Sequence, residues 1–199
     1  MNLFLRITSL VVLSATVHAD GPININNFID GTTRSINLPT PQSSGGYFDG
    51  SGVFGATWRA EFVAGDGSLI GDAVTFRSPG RLDFRSPNSP DRIVTGIPGV
   101  PQVITVRVWD TAVLPTWSDA VTALATGFSP SGTPTAVGSY TFSYTIPVGT
   151  PAPIGADRIM NFQSFNLTTL IPEPGVTALA IAGAAVLIWH GLRRNKHGA

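Results

Sequence analysis

The feature that most constrains this chain is a two-residue rhythm. In Tyr140-Thr141-Phe142-Ser143-Tyr144-Thr145-Ile146 every second side chain is large and apolar, and the residues between carry small hydroxyls. A strand turns successive side chains to opposite faces, so this spacing makes one apolar face and one wet face. A helix, with its period of 3.6, would smear the same residues around its circumference. Residues 102–109 repeat the rhythm, with Ile104, Val106 and Val108 on one side and Thr105 and Arg107 on the other. Trp109 falls on the polar side, where it is expected to be exposed or to cover an edge. Residues 57–64 set Trp58, Ala60, Phe62 and Ala64 against Arg59 and Glu61.

Shorter strands are expected at residues 23–29, 73–77, 92–97 and 161–167. Turn signals separate them, among them Asp49-Gly50, Asp66-Gly67 and Ser78-Pro79-Gly80. One short helix is expected over residues 117–124, with Thr116 as N-cap and Gly127 as its stop. Residues 127–138, rich in Ser, Thr, Pro and Gly, read as a surface loop. Many short strands with little helix predict an all-β fold, a single antiparallel β-sandwich of jelly-roll or immunoglobulin-like kind. No cysteine is present, so the fold must rest on apolar burial and backbone pairing rather than on disulfides.

Reactive side chains are distributed unevenly. All three histidines (His18, His190, His197) and the one lysine (Lys196) lie near the chain ends. Residues 20–170 therefore lack His, Lys and Cys. That removes a Ser–His–Asp triad, a cysteine nucleophile, a lysine Schiff base and a zinc site built from His or Cys. The same stretch has eight arginines against eleven acids, mildly negative and unclustered, so no nucleic-acid partner is expected. Carboxylates remain, and a glycoside hydrolase needs only two. Glu61 with Asp66, Asp72, Asp83 or Asp110 is the nomination, but the sequence selects no pair. Asp49 and Asp66 lie in turns whose oxygens suit calcium, yet ordinary Asp-Gly turns account for them. No catalytic residue, metal or cofactor is expected. Aromatic residues keep a carbohydrate-binding alternative open, directed at exopolysaccharide. Trp109 is its candidate sugar contact, and Tyr47 and Phe48 lie in a glycine-rich loop.

The two ends differ from the middle. Arg6 precedes an apolar run over residues 7–17, and Val17-His18-Ala19 offers compact side chains before a cleavage point. That run reaches only about 16 Å as a helix, too short for a bilayer, so residues 1–19 are expected to be a cleaved signal peptide. Residues 20–170 would be the exported domain and residues 171–199 a separate C-terminal element. There, residues 175–192 carry no charged side chain and would reach about 27 Å as a transmembrane helix, a marginal span. Arg193, Arg194 and Lys196 follow at once and Glu173 precedes, which orients the domain away from the cytoplasm. Each proline of Pro172-Glu173-Pro174 fixes φ and lacks an N–H, so this peptide should stand open, unable to fold back into a sheet or helix.

Pro172-Glu173-Pro174, then an apolar span, then an arginine cluster, in that order at the end of an exported chain, resembles the PEP-CTERM sorting signal. The resemblance implies recognition of Pro172, Glu173 and Pro174 by exosortase, a membrane-embedded cysteine transpeptidase-like enzyme. Arg193, Arg194 and Lys196 would be the stop-transfer cluster of an inner-membrane helix. Ile171 stands where that family more often has Val. The hosts are typically Gram-negative bacteria that make exopolysaccharide. The segments Val74-Thr75-Phe76-Arg77 and Val106-Arg107-Val108-Trp109-Asp110 are also similar to ectodomains of uncharacterised verrucomicrobial PEP-CTERM proteins. The resemblance implies an envelope or extracellular-matrix protein, held briefly in the inner membrane and finally outside the cell. The absence of His, Lys and Cys from residues 20–170 makes a non-enzymatic one the expectation.

Overall fold

The computed structural model describes residues 19–29, 31–83, 91–96, 99–146, 157–159, 161–172, 183–187 and 189. The strands, in chain order, begin with β1 (Ala19–Asn24), β2 (Phe28–Ile29), β3 (Thr32–Thr33), β4 (Ile36–Asn37) and β5 (Trp58–Ala64). Next come β6 (Phe76–Ser78), β7 (Arg81–Leu82), β8 (Asp91–Gly96) and β9 (Pro101–Asp110), followed by helix α1 (Trp117–Thr126). The chain continues through β10 (Phe128–Ser129), β11 (Thr135–Thr145), β12 (Asp157–Arg158), β13 (Phe165–Asn166) and β14 (Thr168–Pro172). The fold is all-β, mostly strand with little helix.

The largest sheet has the order β10-β14-β11-β9-β5. Its middle is the rhythm read from the sequence. Phe62 pairs with Val106 and Val106 with Tyr140, so apolar side chains line up across three antiparallel strands. Trp58, Ala60, Phe62, Ile104, Val106, Val108, Phe142 and Tyr144 are all buried on that face. On the opposite face the Thr105 and Thr141 hydroxyls meet at 2.9 Å, beside exposed Ser139 and Ser143. Cross-strand pairs of this kind are what stabilise a sheet locally. A three-stranded sheet, β12-β1-β8, contributes Ile23 and Val94 to the same core. Phe162 closes one end, edge-on to Tyr140 and Phe142 with both centroid separations 5.6 Å.

Short strands join these sheets through a tight junction. The Ile36 amide donates to the Gly80 carbonyl, Gly80 to Val53, and Val53 back to Ile36, at 3.1, 2.9 and 2.8 Å. Fully buried Asn27 fastens the junction from inside. Its Nδ2 donates to the Arg34 and Gly80 carbonyls, both at 2.8 Å, and its Oδ1 accepts from the Leu82 amide at 3.0 Å. The strands come so close that a Cβ on Gly52 would lie 2.4 Å from the Gly80 nitrogen and the Pro79 carbonyl carbon. Only glycine fits there.

Helix α1 lies over the other face of the large sheet. Thr116 caps it in a reciprocal box with Asp119, and Gly127 ends it in the left-handed conformation at φ 75°. Ala120 and Ala123 are small enough to bring the helix down onto Trp109, Val137 and Leu170. The expected start and stop of this helix agree with the structure, and it runs two residues further than expected.

Other expectations need correction. The sheets are not purely antiparallel: β10·β14, β1·β12 and β13·β4 pair in parallel. Residues 127–138 are not all loop, because Phe128–Ser129 and the start of β11 lie within them. Ala136 and Val137 are buried in the two apolar layers there, which overrides the polar composition. The expected strand at 23–29 breaks where the Asn27 side chain takes up backbone groups. That at 161–167 shrinks to β13. Most of the expected leader and of the expected span at 175–192 lies outside the described residues. Residues 183–187 and 189 are helical and exposed, and among the described residues no helix is long and apolar enough to cross a membrane.

Candidate functional site

Three tryptophans fall between the two chain ends, and none offers a free ring on the surface. Trp58 is in the core. Trp109 is on the face expected for it but is not exposed: α1 covers it to 3% exposure, and its Nε1 has no hydrogen-bond partner. The candidate sugar contact is therefore a packing residue, because the helix that buries it comes from a segment the strand pattern does not reveal. Trp117 is half-buried between Trp109, with ring centroids 5.6 Å apart, and the Arg107 guanidinium, 5.3 Å from the ring centre. Tyr47 is 53% exposed at the tip of its loop, whereas Phe48 packs against the core.

The nominated carboxylates sit in different local settings. Glu61 lies opposite Arg107 on the sheet's polar face. Desolvation pushes its carboxyl above the ordinary value, and the Arg107 charge offsets part of that rise. Hydrogen bonds from the Ser68 hydroxyl and amide, at 2.7 and 2.9 Å, hold Asp66 below its ordinary value. Ser51 does the same for Asp49. Asp110 accepts from the Ala112 amide in a turn. Among the described residues no cluster of three or more His, Cys, Asp or Glu side chains could hold a metal ion.

The element that stands out is where the chain leaves the sheet. Strand β14 runs beside β11 only as far as Leu170, which pairs with Thr135 and is 1% exposed. Beyond it, Ile171 pairs with Phe128 and Pro172 with Ser129, in parallel with β10 alone. The Ile171 amide donates to the Gly127 carbonyl at 3.3 Å. Gly127 in turn donates its own N–H to Ala123 at 2.8 Å, so one residue serves both the helix end and the exit strand.

Pro172 thus corrects the expectation that the Pro-Glu-Pro peptide stays clear of the sheet. As the last residue of a strand with one neighbour, it has no ladder bond to donate, and its fixed φ is tolerated. The expected boundary after Leu170 accordingly falls inside β14. Glu173, Pro174, Arg193, Arg194 and Lys196 lie outside the described residues. At the N-terminal end β1 begins at Ala19, the last residue of the expected leader, paired with Gly96. No family model, curated protein or solved structure matches the chain.

Proposed function

We propose that this protein is an exported, non-enzymatic component of the cell envelope or extracellular matrix, delivered by a C-terminal sorting signal. Its body is a β-sandwich of jelly-roll or immunoglobulin-like kind. Pro172, Glu173 and Pro174 are the recognition element for an exosortase-type membrane transpeptidase. Residues 175–192 form a temporary inner-membrane helix, and Arg193, Arg194 and Lys196 keep the tail in the cytoplasm.

One observation carries the reading. Among the described residues of the C-terminal stretch, Val186, Leu187 and Trp189 are 66%, 74% and 59% exposed, whereas Phe62 and Leu170 in the body are at 1%. An exposed apolar helix is costly in water and at home in a bilayer. Processing breaks one peptide bond on the C-terminal side of β14. The acyl carbon passes to the enzyme's thiolate and the new amine leaves with the tail. Water or an acceptor amine then frees the domain.

The test is the fate of the tail. Protein recovered from the outer surface should lack peptides containing Trp189, and Glu173→Ala should hold the chain in the inner membrane. Trp189-containing peptides on most surface copies would contradict the proposal.

A further inference from the structure

We infer that the last two residues of β14 are a latch that must open before the C-terminal motif can be engaged. This rests on the sorting reading above and adds a control that the fold itself imposes. Leu170 is the last residue held on both sides, by β11 and by the apolar layer under α1. Among the described residues, Ile171 and Pro172 pair with no strand but β10, which is two residues long; the Ile171 amide bonds to the Gly127 carbonyl just before it, and Ile171 is 43% exposed. The grip changes sharply at one peptide bond, between Leu170 and Ile171.

Distance makes the latch consequential. Only Glu173 and Pro174 separate Pro172 from the apolar stretch, and three extended residue steps reach roughly 10 Å. A domain of about 150 residues has a radius of gyration of roughly 15 Å. With the latch closed, the first proline of the motif is part of the sheet and the domain stands against the membrane surface. An enzyme that grips an extended peptide would meet β10 on one edge of Pro172. With the latch open, Ile171 and Pro172 add roughly 7 Å of reach and both backbone edges come free. Leu170 stays buried, so the domain need not unfold. Local opening of an edge segment of this kind is far less costly than global unfolding. The observed rate of processing is then the intrinsic rate scaled by the open fraction.

Gly127 sets how tightly the latch closes. Its carbonyl takes the Ile171 amide while its N–H ends α1, so the helix stop positions the bond that holds the exit strand. Any change that displaces the left-handed Gly127 moves the acceptor of Ile171.

The absence of cysteine makes the test clean. Phe128 and Ile171 are register partners, and the spacing of adjacent strands suits a disulfide. In the full-length chain, expressed in its own host, F128C/I171C should keep its tail when oxidised and lose it again after reductant. Intact mass reads both the crosslink and the tail. A six-residue Gly/Ser insertion between Leu170 and Ile171 moves the motif out of the sheet without altering the core. It should speed tail removal by roughly tenfold, the factor expected if the latch is open about a tenth of the time. An oxidised variant trimmed at the wild-type rate, or an insertion without effect on that rate, overturns the latch and leaves the sorting reading standing. A wild-type chain that is never trimmed overturns the sorting reading, and the latch with it.

Discussion

Val106 has a strand on each side, and Ile171 has one. Val106 pairs with Phe62 and with Tyr140 in the middle of the large sheet and is fully buried, whereas Ile171 has the single register partner Phe128 among the described residues and is 43% exposed. The backbone bonds are chemically alike. What differs is what must move to break them. Freeing Val106 means exposing the apolar layer beneath it, at about 25 cal/mol per Å². Freeing Ile171, already 43% exposed, uncovers less apolar surface. Opening the end therefore costs less than opening the body.

The comparison can be broken first from the body's side. Asn27→Ala removes three hydrogen bonds and leaves the buried Leu82 amide without its acceptor. The Gly80 carbonyl keeps the Ile36 amide, so two groups lose their partner, and at about 1–3 kcal/mol each the total should be about 2–6 kcal/mol. The expected result is a lowered midpoint in urea unfolding, with every transition shifted together. A loss below 1 kcal/mol would mean that the junction around Gly52 and Gly80 holds without its amide.

Gly127→Ala acts on the end. Open space surrounds the site, so the penalty is the left-handed backbone alone, about 1–2 kcal/mol. Global stability should fall by no more than that. Amide exchange at Ile171 should rise by a larger factor than exchange anywhere in β9. An equal rise at both positions would show that the exit strand and the body open together.

The smallest effect is expected at Glu61. Because desolvation raises its folded-state pKa above the unfolded one, ionising it opposes folding. The penalty is absent below the unfolded value. It grows as pH climbs through the window between the two pKa values and is constant above the folded one. Glu61→Gln should therefore be slightly more stable than wild type at neutral pH, with the difference vanishing in acid below the ordinary carboxylate range. Urea midpoints across pH read it. A Gln variant that is less stable at neutral pH would show that the Arg107 attraction outweighs the loss of hydration.

The sequence makes the body far more legible than its joints. Strands β5, β9 and β11 can be read because alternation over seven or more residues leaves no other regular structure. Helix α1 can be read because Thr116 and Gly127 mark its ends chemically. The burial of Trp109 cannot be read, since it depends on α1 folding back across the sheet, and nothing near Trp109 encodes that. Asn27 is equally silent: an asparagine among apolar residues suggests a turn, and only the approach of Arg34, Gly80 and Leu82 makes it a fastener. Pro172 misleads in a different way. Its missing N–H argues against a central strand, but the last residue of an exit strand with a neighbour on one side has no need of one. The motif's chemistry was visible, and its attachment to the fold was not.

Hydrogen exchange measured residue by residue on the native chain tests most directly whether the end opens independently of the body. The Ile171 amide should exchange at least roughly hundredfold faster than the amides of Ile104, Val106 and Val108, yet more slowly than in an unstructured peptide. Exchange at Ile171 as slow as in β9 would contradict the account, because the exit strand would then be as firmly held as the core.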